Sequence, residues 1–318
     1  MKLPIVAKSV NDFFFKPQGV QSVALMRICF GLLLLANWVM VWSHLDVFWG
    51  VDGLFSLETS LKYASAWRFS LFDWMPNDPR VPVIVAGLNL IGAIGVTFGL
   101  FTRTSIAIAF LTLVSFHNRN IFILNSADLI LRNLLFFMFF SASGYAYSLD
   151  RWILLKRGLA PKEPLERAPW ALRLIQIQFS LIYIATVMFK MKGVYWADGT
   201  AVYIATRLDE FLKFSMPMIL NNLLLIKLLT WGTLVVEFSL GTLVWVKELR
   251  YWVLLAGVGL HVGIEVTMNI PLFEIIMIAA MLCMVDSADI KRCEDWLRSK
   301  LNSSRQKNMN LKLSSLNS

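Results

Sequence analysis

"SFHNRNIFILNSADLILRN", residues 115–133, sets His117, Asn118, Arg119, Asn120, Asn125, Asp128, Arg132 and Asn133 between two apolar runs. Upstream lies IAIAFLTLV (106–114) and downstream LLFFMFFSA (134–142), both oily enough to sit in lipid. Inside hydrocarbon each such polar group costs several kcal/mol unless it meets a partner or water. The stretch therefore reads as one membrane helix ending and the next beginning, on the same side of a bilayer.

The composition agrees. The chain of 318 residues is 57% hydrophobic and only 16% charged, with mean hydropathy +0.62. Soluble domains run at about 45–50% apolar and about 25% charged. The basic start leads into an apolar run long enough to span, with no small-residue cleavage site, so no cleavable signal is expected. Cys29, Cys283 and Cys293 are scattered and form neither a disulfide framework nor a metal pattern. The net charge of +9 gathers at loop ends and in the tail, which fits anionic lipid headgroups rather than nucleic acid.

A span needs about 20 mostly apolar residues. Eight candidates follow, at about 20–43, 81–100, 104–121, 127–148, 171–191, 218–246, 251–270 and 271–287. The expected architecture is all-α: a polytopic membrane helix bundle with amphipathic segments on its outer face. Residues 1–19 form an interfacial segment, 20–287 the membrane domain, and 288–318 an amphipathic helix passing near Leu301 into a disordered tail. Lysines and arginines crowd the N-terminal segment, the 149–173 connection and the tail, whereas the 44–80 connection carries few. Eight spans with both termini cytoplasmic satisfy the positive-inside rule. The connections 44–80 and 192–217, rich in Trp and Phe, then become outer caps.

On this topology the costly residues gather in the outer half. Asn125, Asp128 and Arg132 stand at i, i+3 and i+7 of one helix face, and His261, Glu265 and Asn269 at i, i+4 and i+8 of another. Gln176, Tyr183 and Lys190 fall at steps of seven and form a seam ending in an amine. Three polar stripes predict an internal cavity opening outward. Plainer readings stand beside this one. Asn125 with Asp128 also fits a helix N-cap, His261 with Glu265 a packing pair, and Arg27 or Glu237 a lock within the bundle. Lys190 could snorkel to the interface. With three histidines and no HxxH spacing, no metal site is expected.

Three stretches carry a resemblance: residues 116–150, YIATVMFKMKGVYWADGTAV (183–202) and HVGIEVTMNIPLFEIIMIA (261–279). They resemble the HTTM domain family, bacterial membrane proteins related to vitamin K-dependent gamma-carboxylase, over about residues 17–290. The vertebrate enzyme's large extramembrane domain has no counterpart, so the likeness is to its membrane part. The resemblance implies a site using reduced vitamin K or menaquinol with O2 and CO2, in which a lysine deprotonates the hydroquinone. The strong base formed after O2 adds then takes a proton from a peptide glutamate, which captures CO2.

By this resemblance Lys190, six residues before Trp196, is a candidate base, with Lys192 competing. His117 and His261 match the family's histidines. Asn118, Arg119, Asn120, Asn125, Asp128, Arg132, Tyr183, Trp196 and Glu265 are candidates for substrate or cofactor binding. The implied partners are the bilayer, a lipophilic quinol and a secreted or membrane peptide. The implied location is a bacterial inner membrane. The competing readings are a transporter, for which the inner halves offer few polar groups, and a non-catalytic maturation factor.

Overall fold

The computed structural model describes residues 5–63, 67–162, 165–215 and 217–316. Lys2, counted in the basic N-terminal segment, lies outside them. The elements are helical: α1 (Ile5–Phe15), α2 (Gln21–Val41), α3 (Leu45–Trp49), α4 (Leu57–Tyr63), α5 (Arg80–Phe98), α6 (Thr102–Arg119), α7 (Ser126–Phe139) and α8 (Leu149–Lys156). Then come α9 (Trp170–Lys190), α10 (Val194–Ala197), α11 (Ala201–Ala205), α12 (Leu223–Gly241), α13 (Lys247–Thr267), α14 (Phe273–Met281) and α15 (Ser287–Leu316). A two-residue antiparallel ladder joins β1 (Gln18–Gly19) to β2 (Glu166–Arg167).

Among the described residues, five stretches are long and apolar enough to cross a membrane: Gln21–Trp49, Arg80–Phe98, Trp170–Lys190, Leu223–Gly241 and Lys247–Thr267. The protein is thus a membrane helix bundle, but the eight expected spans are not all full-length apolar helices. α6 is diluted by Thr, Ser, His, Asn and Arg, and α7 stops at Phe139, nine residues before the expected boundary at 148. Phe273–Met284 is a shorter apolar helix whose last turn tightens into 3₁₀ geometry. The tail differs as well: α15 runs on to Leu316 where disorder was expected from about Leu301. That segment holds no Gly or Pro to stop a helix.

Small residues let α5 and α6 approach closely. A Cβ added at Gly92 would meet the Ala109 backbone at 2.9 Å, the close contact that glycines permit in membrane bundles. Asn89, fully buried, ties three helices. It donates to the Ala109 carbonyl (2.9 Å) and the Thr112 hydroxyl (2.6 Å) and accepts from Trp38 Nε1 (2.5 Å). The α5–α6 turn uses Gly99 at φ +65°, inside the left-handed region that glycine enters freely. Asp150 then caps α6 from a distance. Its oxygens accept from the Phe101 and Thr102 amides (both 2.8 Å) and from the Thr102 hydroxyl (2.7 Å).

Hydrogen bonds gather the basic segments on one face. Besides the β1–β2 ladder, Arg173 donates to the Phe13 carbonyl (3.0 Å) and Gln18 Oε1 (3.1 Å), and Ser287 Oγ accepts from the Ser22 amide (3.2 Å). Tyr147 donates to Glu294 at 3.0 Å; burial first, then this carboxylate, pushes its phenol up to about 12. Arg27, wholly buried, donates to the Ser143 (3.0 Å) and Tyr147 (2.5 Å) carbonyls, the locking role expected of it. The aromatic connections are tied down at the other ends of the helices. There Arg119 and Asn118 hold the 50–69 segment, and Asn269 donates its amide to the Phe211 carbonyl (2.8 Å).

Removing the remote cap tests this account. Asp150→Ala should destabilise the purified protein by about 1–2 kcal/mol, because three donors at a helix N-terminus lose their acceptor. The readout is a lower thermal midpoint in detergent. Asp150→Asn, which retains one carbonyl acceptor, should lose less.

Candidate functional site

The polar seam of α9 faces inward along its length. Two helical turns separate each member from the next, with a drift of only about 20° per heptad, so one inner stripe carries them all. Gln176 Nε2 donates to the Cys283 carbonyl at 2.7 Å. Two turns on, the Tyr183 hydroxyl meets His261 Nε2 at 2.7 Å. Two turns further, Lys190 Nζ donates to Glu237 Oε1 at 2.5 Å.

The middle contact extends into a chain of three. His261 Nδ1 is hydrogen-bonded to the Glu274 carboxylate. With the proton on Nδ1 donated to the acid, Nε2 is left to accept from Tyr183, so the partner sets the tautomer. Glu274 sits in the first turn of α14, where the helix N-terminus favours a negative charge. Tyr183, His261 and Glu274 are 2%, 3% and 1% exposed. So little surface leaves no water-sized chamber between them. The expected outward-opening cavity is therefore absent at this point, because Tyr183, His261 and Glu274 satisfy one another directly.

Lys190 forms the accessible edge of the cluster. Its side chain keeps 24% of its surface against 7% for Glu237. The ammonium lies 4.6 Å from the Trp196 ring centroid, a cation–π contact that steadies it. Trp231 Nε1 in turn holds the Trp196 carbonyl at 3.2 Å. Glu237 Oε2 is buried with no hydrogen-bond partner. Tyr183 stands within electrostatic reach of both Glu237 and Glu274, which links the two pairs into one acid–base cluster spanning α9, α12, α13 and α14.

The remaining candidates lie elsewhere. His117 is 3.7 Å from Asp128, with Arg132 in electrostatic reach. Among the described residues no hydrogen bond or ion pair joins this group to the Lys190–His261 cluster. The expectation that all the imidazoles and the amine meet in one chamber is thus corrected: α7 packs against both α6 and α9, and His117 turns toward α7. Asn125 and Asp128 form a capping box, with Asn125 Oδ1 accepting from the Ala127 (2.8 Å) and Asp128 (3.2 Å) amides.

Asn118, Arg119 and Asn120 bind backbone carbonyls of the aromatic 44–80 connection: Phe69 at 2.8 Å, Phe55 at 2.8 Å and Phe48 at 2.9 Å. Their observed contacts anchor the cap. Lys192 is exposed and lies over the Phe189 ring. Glu265 pairs not with His261 but with Lys213, at 3.4 Å.

Glu237 and Glu274 complete the cluster, although the sequence reading placed neither among the site residues. Each is an acid with no Lys or Arg within four residues on its own helix, so its partner had to come from another element. That signal was available and points to the need for a partner without naming it.

A bundle of apolar helices enclosing a paired amine, two acids, an imidazole and a phenol defines an integral membrane protein with a buried acid–base cluster. The profile of the HTTM domain matches residues 15–288. The chain belongs to the HTTM domain family, typically a membrane domain of vitamin K-dependent carboxylase-like proteins. Neither the curated proteins nor the solved structures contain a match.

Removing His261 should cost far more than removing the Tyr183 hydroxyl. His261→Ala strands Glu274 as a buried carboxylate, at about 3 kcal/mol or more. Tyr183→Phe loses one helix–helix hydrogen bond, about 1 kcal/mol. Chemical denaturation in mixed micelles checks both, and the double variant should fall short of the sum because the residues share a network.

Proposed function

We propose that this protein is an enzyme acting on a reduced lipophilic quinone, vitamin K or menaquinol, at the aromatic face of a bacterial inner membrane. O2 and CO2 serve as co-substrates in epoxidase- or carboxylase-type chemistry of the lyase class. Both termini lie in the cytoplasm and eight elements cross. The gathering of the N-terminal, 143–173 and 285–294 segments on one face supports an even number of crossings between each pair.

One observation carries the reading: a partly exposed amine paired with an acid whose second oxygen is buried and has no hydrogen-bond partner among the described residues, beneath a tryptophan ring. That arrangement fits a hydroxylated aromatic ligand. Glu237 Oε2 would accept its O–H, and Trp196 would lie against its apolar face. When bound, a hydroquinone supplies reducing equivalents and an acidic O–H. In its neutral form Lys190 would take that proton at Nζ, and the Glu237 carboxylate beside it would balance the ammonium that forms. Tyr183, His261 and Glu274 would hold the wall behind the pair. Lys192 is the competing base, without an acid at its side among the described residues. His117 would act from the neighbouring α6–α7 group through a ligand that reaches it.

The close packing around His261 favours a second reading, a non-catalytic factor that helps mature a secreted or membrane peptide. The two part on one variant. In nanodiscs given menaquinol, O2, bicarbonate and a glutamate-containing peptide, the enzyme should form quinone epoxide or a carboxylated product. Lys190→Ala should lower that rate at least about a hundredfold, since a positioned base contributes about 10²–10⁴-fold; Lys190→Arg, which keeps a cation beside Glu237 but stays protonated, should do the same while the melting profile persists. A maturation factor would make no product, and its cellular phenotype would survive Lys190→Ala.

A further inference from the structure

A cavity of about 710 Å³ lies on the basic face, away from the acid–base cluster. It opens between the start of α6, the α7–α8 connection, residues 157–161 and the Leu165–Arg167 stretch. Its size falls within the roughly 300–1,000 Å³ of pockets that hold small ligands. Arg103, Arg151, Arg157 and Arg167 line it, and so do apolar side chains such as Leu154 and Leu159.

Among the described lining residues the cations outnumber the acids. Asp150 is the one acid among the described lining residues, and both its oxygens are occupied by the α6 N-terminus. Arg151 is buried and donates to the Pro161 carbonyl. Arg167 is held by the β1–β2 ladder, its guanidinium 4.7 Å from the Tyr145 ring centroid. Arg103 and Arg157 stand exposed and form no ion pair among the described residues. Two arginines are thus set in place at the wall and two wait at the rim. Guanidinium groups match phosphate oxygens in a bidentate fork, and basic pockets on the cytoplasmic side of membrane bundles bind anionic headgroups.

We infer that this cavity is a binding site for one anionic phospholipid, its phosphate held by Arg103, Arg157 and Arg167 and its glycerol and upper chains against Leu154 and Leu159. The apolar wall decides between a lipid and a free phosphate ion, because a small hydrated ion gains nothing from leucines. The site is independent of the chemistry proposed for Lys190.

The test uses the full chain in phosphatidylcholine nanodiscs containing a minor fraction of phosphatidylglycerol. Native mass spectrometry after release should find one phosphatidylglycerol retained per chain. Arg103→Gln with Arg157→Gln should weaken retention about 25-fold, about fivefold for each surface charge removed. Both residues are exposed, so circular dichroism should show the fold unchanged. Lys291→Gln with Lys300→Gln, basic positions on α15 outside the cavity, should leave retention as it was. Equal loss in both pairs would reduce the effect to general surface attraction and overturn the site. Unchanged retention in the arginine pair would overturn it too. Displacement of the lipid by millimolar inorganic phosphate would show a phosphate site and overturn the lipid assignment.

Discussion

A charged side chain taken out of water into a low-dielectric bundle is tolerated only where another group meets its charge or its hydrogen-bonding capacity. This constraint runs through the structure. Lys190 has Glu237, His261 has Glu274, and Arg27 has two carbonyls from the segment after α7. Each contact joins elements far apart in the chain. The polar residues therefore act as registration pins for helices whose apolar faces would otherwise slide over one another with little preference. Asn89 plays the uncharged version of the same part between α2, α5 and α6.

The pins differ in how completely they are satisfied, and the difference separates scaffold from candidate chemistry. The Tyr183–His261–Glu274 chain is closed: every member is buried and each bond has a partner. The Lys190–Glu237 pair is open, with an accessible amine and an unpartnered oxygen. A ligand carrying a hydroxyl would complete the second without disturbing the first. That asymmetry concentrates the functional argument on one edge of the cluster and leaves the rest as its support.

Much of this was legible from the residues alone. The steps of seven through Gln176, Tyr183 and Lys190 predicted an inward seam, and all three side chains are turned to partners in the bundle. The Asn125–Asp128 spacing predicted a cap, and a capping box is found. Less legible was which polar neighbour goes with which. His261 and Glu265 lie one turn apart, yet His261 bonds Glu274 from the next helix while Glu265 turns to Lys213. The asparagines and arginine of the 118–120 run looked like ligand groups. They bind backbone carbonyls of the cap instead, since Phe55 and Phe69 lie outside regular helices and Phe48 lies in the last turn of α3, where carbonyls need donors.

Composition and periodicity by themselves determined that this chain is a helical membrane protein with its polar residues drawn to particular helix faces. Those properties depend on the solvent and on the 3.6-residue turn, both local in the chain. Only the tertiary structure decided that Tyr183 and His261 close on Glu274, that His117 turns to Asp128, and that Glu237 is Lys190's partner. Pairing between helices depends on their relative rotation and depth, which arise from side-chain packing across the whole bundle and leave no periodic trace in any single segment.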